Sequence, residues 1–103
     1  MKPLIKAGDC KNIQEIRDVI DALDLDVIKL FAQRHEYVKE IVKFKSRDKE
    51  GIIAQDRKEV VLNQRRAWAE EEGLDGQMME EIFRLLIEKN IQIQIDISNS
   101  NNN

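Results

Sequence analysis

The feature that most constrains this chain is an apolar seam with no internal break. Ile13, Ile16, Ile20, Leu23, Val27, Leu30, Tyr37 and Ile41 follow one another at helical spacings, and neither Gly nor Pro occurs between Asn12 and Phe44. Asn12 stands where an N-cap is wanted, with Glu15 at the third helical position, so the start resembles a capping box. A helix of about 33 residues would be ~50 Å long, whereas a compact domain of this size has a radius of gyration of ~13 Å. Such a rod cannot be covered by its own chain. The expectation is an all-α, three-helix chain with a very long first helix, whose long helices pack against those of further copies in a dimer or higher oligomer.

Composition agrees with long helices, since 103 residues contain only one Pro and four Gly while 36% are charged. The length suits a single domain, expected over residues 1–97, with the polar "SNSNNN" at 98–103 expected as a disordered tail. Net charge is −3 with acidic and basic residues interleaved, which argues against nucleic acid as a partner and leaves a small anionic ligand open. Cys10 is the single cysteine, so no intrachain disulfide can form and no second thiol stands at metal-ligand spacing. No apolar run reaches the length of a signal peptide core or a membrane span. A cytoplasmic setting without membrane association is expected.

The charged stretch "SRDKEGII" at 46–53 interrupts the seam and reads as an exposed, mobile connection. A second helix is expected from about Ala54 to Glu72, burying Val60, Val61, Ala67 and Trp68, with Gly73 as its left-handed cap. Asp75 can cap a third helix carrying Met78, Met79, Ile82, Phe83, Leu85, Leu86 and Ile87. Beyond it, residues 91–97 alternate apolar and polar with the period of a strand. A strand there would have no partner elsewhere in the chain, so the segment reads as the continuation of the third helix, apolar on several sides.

Polar groups then interrupt these seams. Arg34 occupies an apolar position of the first helix, and Lys45, 11 residues on, projects from the same face within ~20°. Asn90 and Gln94 stand one turn apart on the third helix, and Arg57 near the start of the second. Cations facing inward need anions, from the protein or from a ligand. The pattern alone leaves two readings open, because long Arg and Lys side chains also snorkel to solvent and inward amides also fix helix register. His35, Cys10, Met78 and Met79 read as packing or surface residues. No Ser/His/Asp arrangement, metal cluster or Gly-rich phosphate loop is visible, so acid/base, nucleophilic and metal chemistry have little support.

The run "IRDVIDALDLDVIKLFAQRHEYVKEIVKFK", followed by "AQDR", "WAEEEGLD" and "IFRLLIEKNIQIQ", resembles the all-helical chorismate mutase family from Asp9 to Gln94. Within it, "DC", "YVK", "FK" and "WAEEEGLD" are most similar to the branch containing isochorismate pyruvate lyase, the salicylate-forming enzyme. The resemblance implies two equivalent sites in an intertwined dimer, no cofactor, and a dianionic substrate. By that resemblance Arg17 enters the other subunit's site, Arg34 grips a substrate carboxylate, Lys45 and Gln94 meet the ether oxygen, Arg57 serves from the second helix, and Asn90 contacts a carboxylate. Helical geometry separately asks for a shared site. Arg17 and Arg34 are 17 residues apart, ~25 Å along the rod and roughly 100° around it.

The rearrangement of chorismate to prephenate is a concerted pericyclic shift that needs a held conformation and stabilised charge on the ether oxygen, which explains the missing catalytic base. Where many mutases carry an Asp and a Glu that receive the substrate hydroxyl, this chain has Ala54 and Lys58. That departure leans toward the lyase, whose substrate carries its hydroxyl elsewhere. The expected function is chorismate mutase, with isochorismate pyruvate lyase retaining residual mutase activity as the alternative, and a non-catalytic helical dimer as a third reading of a different class.

Overall fold

The computed structural model describes residues 4–44 and 55–101. Lys45, Ala54 and the 46–53 connection lie outside the described residues. Three α-helices are present among them: α1 (Ile13–Glu40), α2 (Gln55–Glu71) and α3 (Gly76–Asn101). Short 3₁₀ turns, Ala7–Asp9 and Ile41–Lys43, flank α1. No strand occurs among the described residues, and the alternating isoleucines 91, 93, 95 and 97 are all half-buried positions of α3. The all-α, three-helix expectation is met.

Local chemistry explains each boundary. Asn12 Oδ1 accepts from the Glu15 backbone N–H at 2.9 Å, and Glu15 Oε2 accepts from the N–H of Lys11 at 2.8 Å. The cap thus satisfies the Glu15 N–H of the first turn, while the reciprocal bond lands one residue before the capping residue and ties down the chain entering the helix. At the end of α2, Gly73 adopts φ +78°, its N–H donates to the Glu70 carbonyl, and the Leu74 N–H donates to the Ala69 carbonyl. These two bonds form a Schellman cap, which needs a residue without a side-chain penalty in the left-handed region. Asp75 Oδ1 then accepts from the Met78 N–H at 3.2 Å and starts α3.

The chain divides into two compact units, Met1–His35 and Glu36–Asn103. In the first, residues from the N-terminal segment, among them Leu4, Ile5 and Cys10, form with Ile16, Val19, Ile20 and Leu23 of α1 an apolar groove of about 460 Å³. All eight seam residues, from Ile13 to Ile41, remain exposed. In the second, α2 pairs with α3, and the 3₁₀ turn after α1 packs on α3. The core there consists of Val38, Val42, Val61, Leu62 and Ala69.

Three features differ from the sequence reading. The first helix keeps α geometry for 28 residues and then tightens into the 3₁₀ turn, so its α-helical length is ~42 Å rather than ~50 Å. On α2 the buried side is Val61, Leu62 and Ala69, whereas Val60, Ala67 and Trp68 are exposed. Ion pairs along α2 set this rotation, as described below. Finally α3 continues four residues past Ile97, the expected end of the domain, and Ser98 is buried at 2% exposure.

Replacing Gly73 tests the cap. No atom lies within 4 Å of the position a Cβ would take, so the cost of Gly73→Ala is conformational, about 1 kcal/mol, and the melting temperature should drop by roughly 4–8 °C. Gly73→Asn should lose less, because Asn tolerates the left-handed region. Equal stability of wild type and Gly73→Ala in thermal unfolding would contradict the cap.

Candidate active site

Ion pairs set the register of α2 against α3. Lys58 Nζ lies 3.3 Å from Glu88 Oε1, Arg84 Nη1 lies 3.7 Å from Glu59 Oε1, and Arg66 Nη1 lies 2.9 Å from Glu80 Oε2. Early residues of α2 thus meet late residues of α3, which makes the helices antiparallel and brings Arg57 level with Asn90. Lys58 uses its ammonium on Glu88, so its largely buried side chain serves as a tie between the two helices.

Gln94 provides the second fixed point. Its Nε2 donates to the Val38 carbonyl at 3.0 Å, a buried bond 56 residues long in sequence. Val38 belongs to the last turn of α1, where carbonyls lose their intrahelical partners. The amide therefore caps α1 and is itself oriented by it. A primary amide has two N–H groups, so one hydrogen bonded to Val38 leaves the other available to a ligand.

Of the six residues singled out in the sequence, Arg57, Asn90 and Gln94 come to one level of the second unit. Asn90 and Gln94 are 9% and 4% exposed, while Arg57 at the start of α2 is open to solvent. Arg17 is exposed and Arg34 half-buried, both on the α1 segment of the first unit. Lys45 lies beyond Phe44, outside the described residues. Of the two positions where a hydroxyl acceptor was sought, Lys58 carries an ammonium bound to Glu88 and Ala54 is not described.

Two polar residues escaped the sequence reading. Ser98 follows Asn90 and Gln94 at the same four-residue interval, completing a buried polar stripe on α3. The interval was its signal, outweighed by the polar composition after it. Arg65 packs its guanidinium over Trp68, 4.6 Å from the ring centroid, and 5.9 Å from that of Phe83. Burial, and then the like charge of Arg57, lower its pKa from the ordinary arginine value. A guanidinium and amide donors at one level suit an oxygen-rich anion, to be gripped by Arg57 and hydrogen bonded from α3.

Residues 16–95 match the family described as chorismate mutase type II. The chain belongs to the type II chorismate mutase family. It is an enzyme of that family, whose all-helical fold is the one observed. The chain is 38% identical to an isochorismate pyruvate lyase of Pseudomonas aeruginosa over 84% of its own length and 85% of that protein. It is 29% identical to a chorismate mutase of Methanocaldococcus jannaschii, covering 82% of the chain and 85% of the relative. A T-protein of Haemophilus influenzae is 35% identical over 70% of the chain, which corresponds to 19% of that longer protein. Among the described residues of this family member no helix is long and apolar enough to cross a membrane.

The Gln94 bond has a measurable structural share. Gln94→Leu leaves the Val38 carbonyl buried without its donor and should destabilise the protein by roughly 1–3 kcal/mol in denaturant unfolding. Unchanged stability would mean that the carbonyl finds another partner.

Proposed function

We propose that the chain rearranges chorismate to prephenate in sites shared between two copies of itself. The observation that carries this reading is the anchored amide of Gln94, held by the end of α1 at the level of Asn90 and Arg57. In this reading Arg34 and Arg57 grip the substrate carboxylates, Asn90 adds a carboxylate contact, and Lys45 and Gln94 meet the ether oxygen. As the carbon–oxygen bond breaks and the new carbon–carbon bond forms, negative charge grows on that oxygen. Donors already aimed at it stabilise the transition state more than the ground state. Holding the enolpyruvyl arm over the ring supplies the remainder, and no proton has to move.

Arg17 completes the site from the partner copy. The exposure of Ile13, Ile16, Ile20, Leu23, Val27 and Leu30 supports that assembly, because a monomer would leave this whole seam in water. A second copy of α1 is the surface that fits a seam of this length and composition.

A second reading, isochorismate pyruvate lyase, is favoured by Lys58. Its ammonium is engaged by Glu88, so this position supplies no carboxylate to receive a substrate hydroxyl, and the Pseudomonas relative carries the lyase name. Both reactions break the same ether bond and develop charge on the same oxygen, so mutase activity is expected under either reading, at full or residual level.

Lys45→Ala should lower kcat/KM on chorismate roughly a hundredfold, about 3 kcal/mol of barrier, with helicity and sedimentation unchanged. Undiminished turnover would remove Lys45 from its role, and a loss of melting temperature in place of activity would favour the non-catalytic helical dimer. The shared site has its own test in mixed dimers. Arg17→Ala and Gln94→Ala proteins, each inactive, should regain about a quarter of wild-type sites when unfolded and refolded together, because a mixed dimer places both lesions in one site and leaves the other intact. No recovery, with dimers formed, would place Arg17 in its own chain's site.

A further inference from the structure

The α2–α3 pair treats its cations unequally. Lys58, Arg66 and Arg84 each meet a glutamate. Arg57 and Arg65 meet none among the described residues, and the Arg65 guanidinium donates from Nη1 to the neutral Gln64 Oε1 at 2.6 Å. Among the described residues, then, neither guanidinium has a carboxylate partner to offset their mutual repulsion.

Helical phase shows where this charge sits. Trp68 follows Arg57 by 11 residues, within about 20° on one stripe of α2. The Arg65 guanidinium lies over the Trp68 ring and near Phe83. Phe83 shares a stripe of α3 with Asn90, seven residues on, and with Gln94, 11 residues on, again within about 20°. The stacked guanidinium thus lies on the same side of the helix pair as Arg57, Asn90 and Gln94, two turns further out. Stacking orients the plane of Arg65 and leaves the edge donors not given to Gln64 for a planar carboxylate. Trp68 itself is half exposed, leaving ring surface beside the guanidinium.

We propose that Arg65, seated on Trp68 and Phe83, forms with Arg57 an outer anion-binding subsite that captures a carboxylate of the incoming dianion before it enters the site. The proposal rests on the reading of the substrate as a small dicarboxylate dianion, but not on which pericyclic reaction follows. Arg57 is common to both stations, so the ligand can pass between them without losing its cationic partners. The positive charges of Arg57 and Arg65 also raise the local potential, which speeds association of a dianion at low salt.

Trp68 is the single tryptophan of the chain, so its emission reports on the subsite directly. Malonate is the probe, titrated against sodium chloride at matched ionic strength. Wild type should show a saturable emission change with malonate and none with chloride. Arg65→Gln, confirmed folded by circular dichroism, should abolish it, Arg65→Lys should keep a weaker response, and Asn90→Ala should retain it. No saturable change in wild type, or a full response in Arg65→Gln, would overturn the subsite. The capture role is read from kcat/KM on chorismate against ionic strength. Arg65→Gln should be several-fold slower than wild type at low salt and converge with it at high salt, and a loss that is equal at all salt concentrations would overturn capture. Failure of wild type to turn over either substrate would defeat the proposed function alone, since the malonate titration decides the subsite without catalysis.

Discussion

A helix of 28 residues that buries almost nothing against its own chain is the constraint on which the rest depends. Only Val38 of α1 is buried, with Val42 following in the 3₁₀ turn, and the seam before them faces water. Full burial of a large aliphatic side chain is worth about 1.5–3 kcal/mol. The six seam residues from Ile13 to Leu30 are about half exposed, so each forgoes roughly half of that, together a substantial share of the stability expected for a domain of this size. In the dimer proposed above, assembly and folding become one process. It also bears on the proposed site, because residues at opposite ends of such a helix could serve one small ligand only if two copies lay side by side.

The second unit solves a different problem, that of placing polar groups in an interior. Asn90, Gln94 and Ser98 occupy the most buried positions of the C-terminal half of α3, where aliphatic residues would add more stability. Gln94 offsets part of that cost by capping α1 through the Val38 carbonyl. The same bond orients the amide, so the residue proposed to meet the ether oxygen is held before any substrate arrives. Structural and catalytic accounts of an inward glutamine are thus compatible here: one N–H serves the fold and the other is free for the ligand. The ion pairs of Lys58, Arg66 and Arg84 contribute in a similar way, by setting the register that brings Arg57 to the level of Asn90.

Local chemistry was legible in the sequence wherever one residue decides the outcome. Asn12, Gly73 and Asp75 each do as caps what their side chains allow, and the isoleucines at 91–97 are helical, with no strand to pair with them among the described residues. Asn90 and Gln94 were found as breaks in an apolar pattern, and both are buried. What escaped was set by tertiary register. On α2 hydrophobicity found Val61 but not the rest of the buried side, because with Lys58 and Arg66 reaching across to α3 it is Leu62 and Ala69 that turn inward in place of Val60, Ala67 and Trp68. Ser98 was hidden by the asparagines around it, and Arg65 by an aromatic partner that composition alone does not place beside it. The 3₁₀ ending of α1 was invisible for the same reason, since it coincides with a carbonyl captured from 56 residues away.

The proposed function requires that cations and buried amides stabilise charge on a breaking ether bond without a cofactor or a catalytic base. Its most direct test is a side-by-side steady-state assay of the purified protein on chorismate and on isochorismate, following prephenate in one and salicylate with pyruvate in the other. The account predicts prephenate formation without added metal or cofactor, whichever substrate has the higher kcat/KM, and the ratio of the two decides between mutase and lyase as the main reaction. Absence of turnover on both substrates by folded, dimeric protein would contradict it.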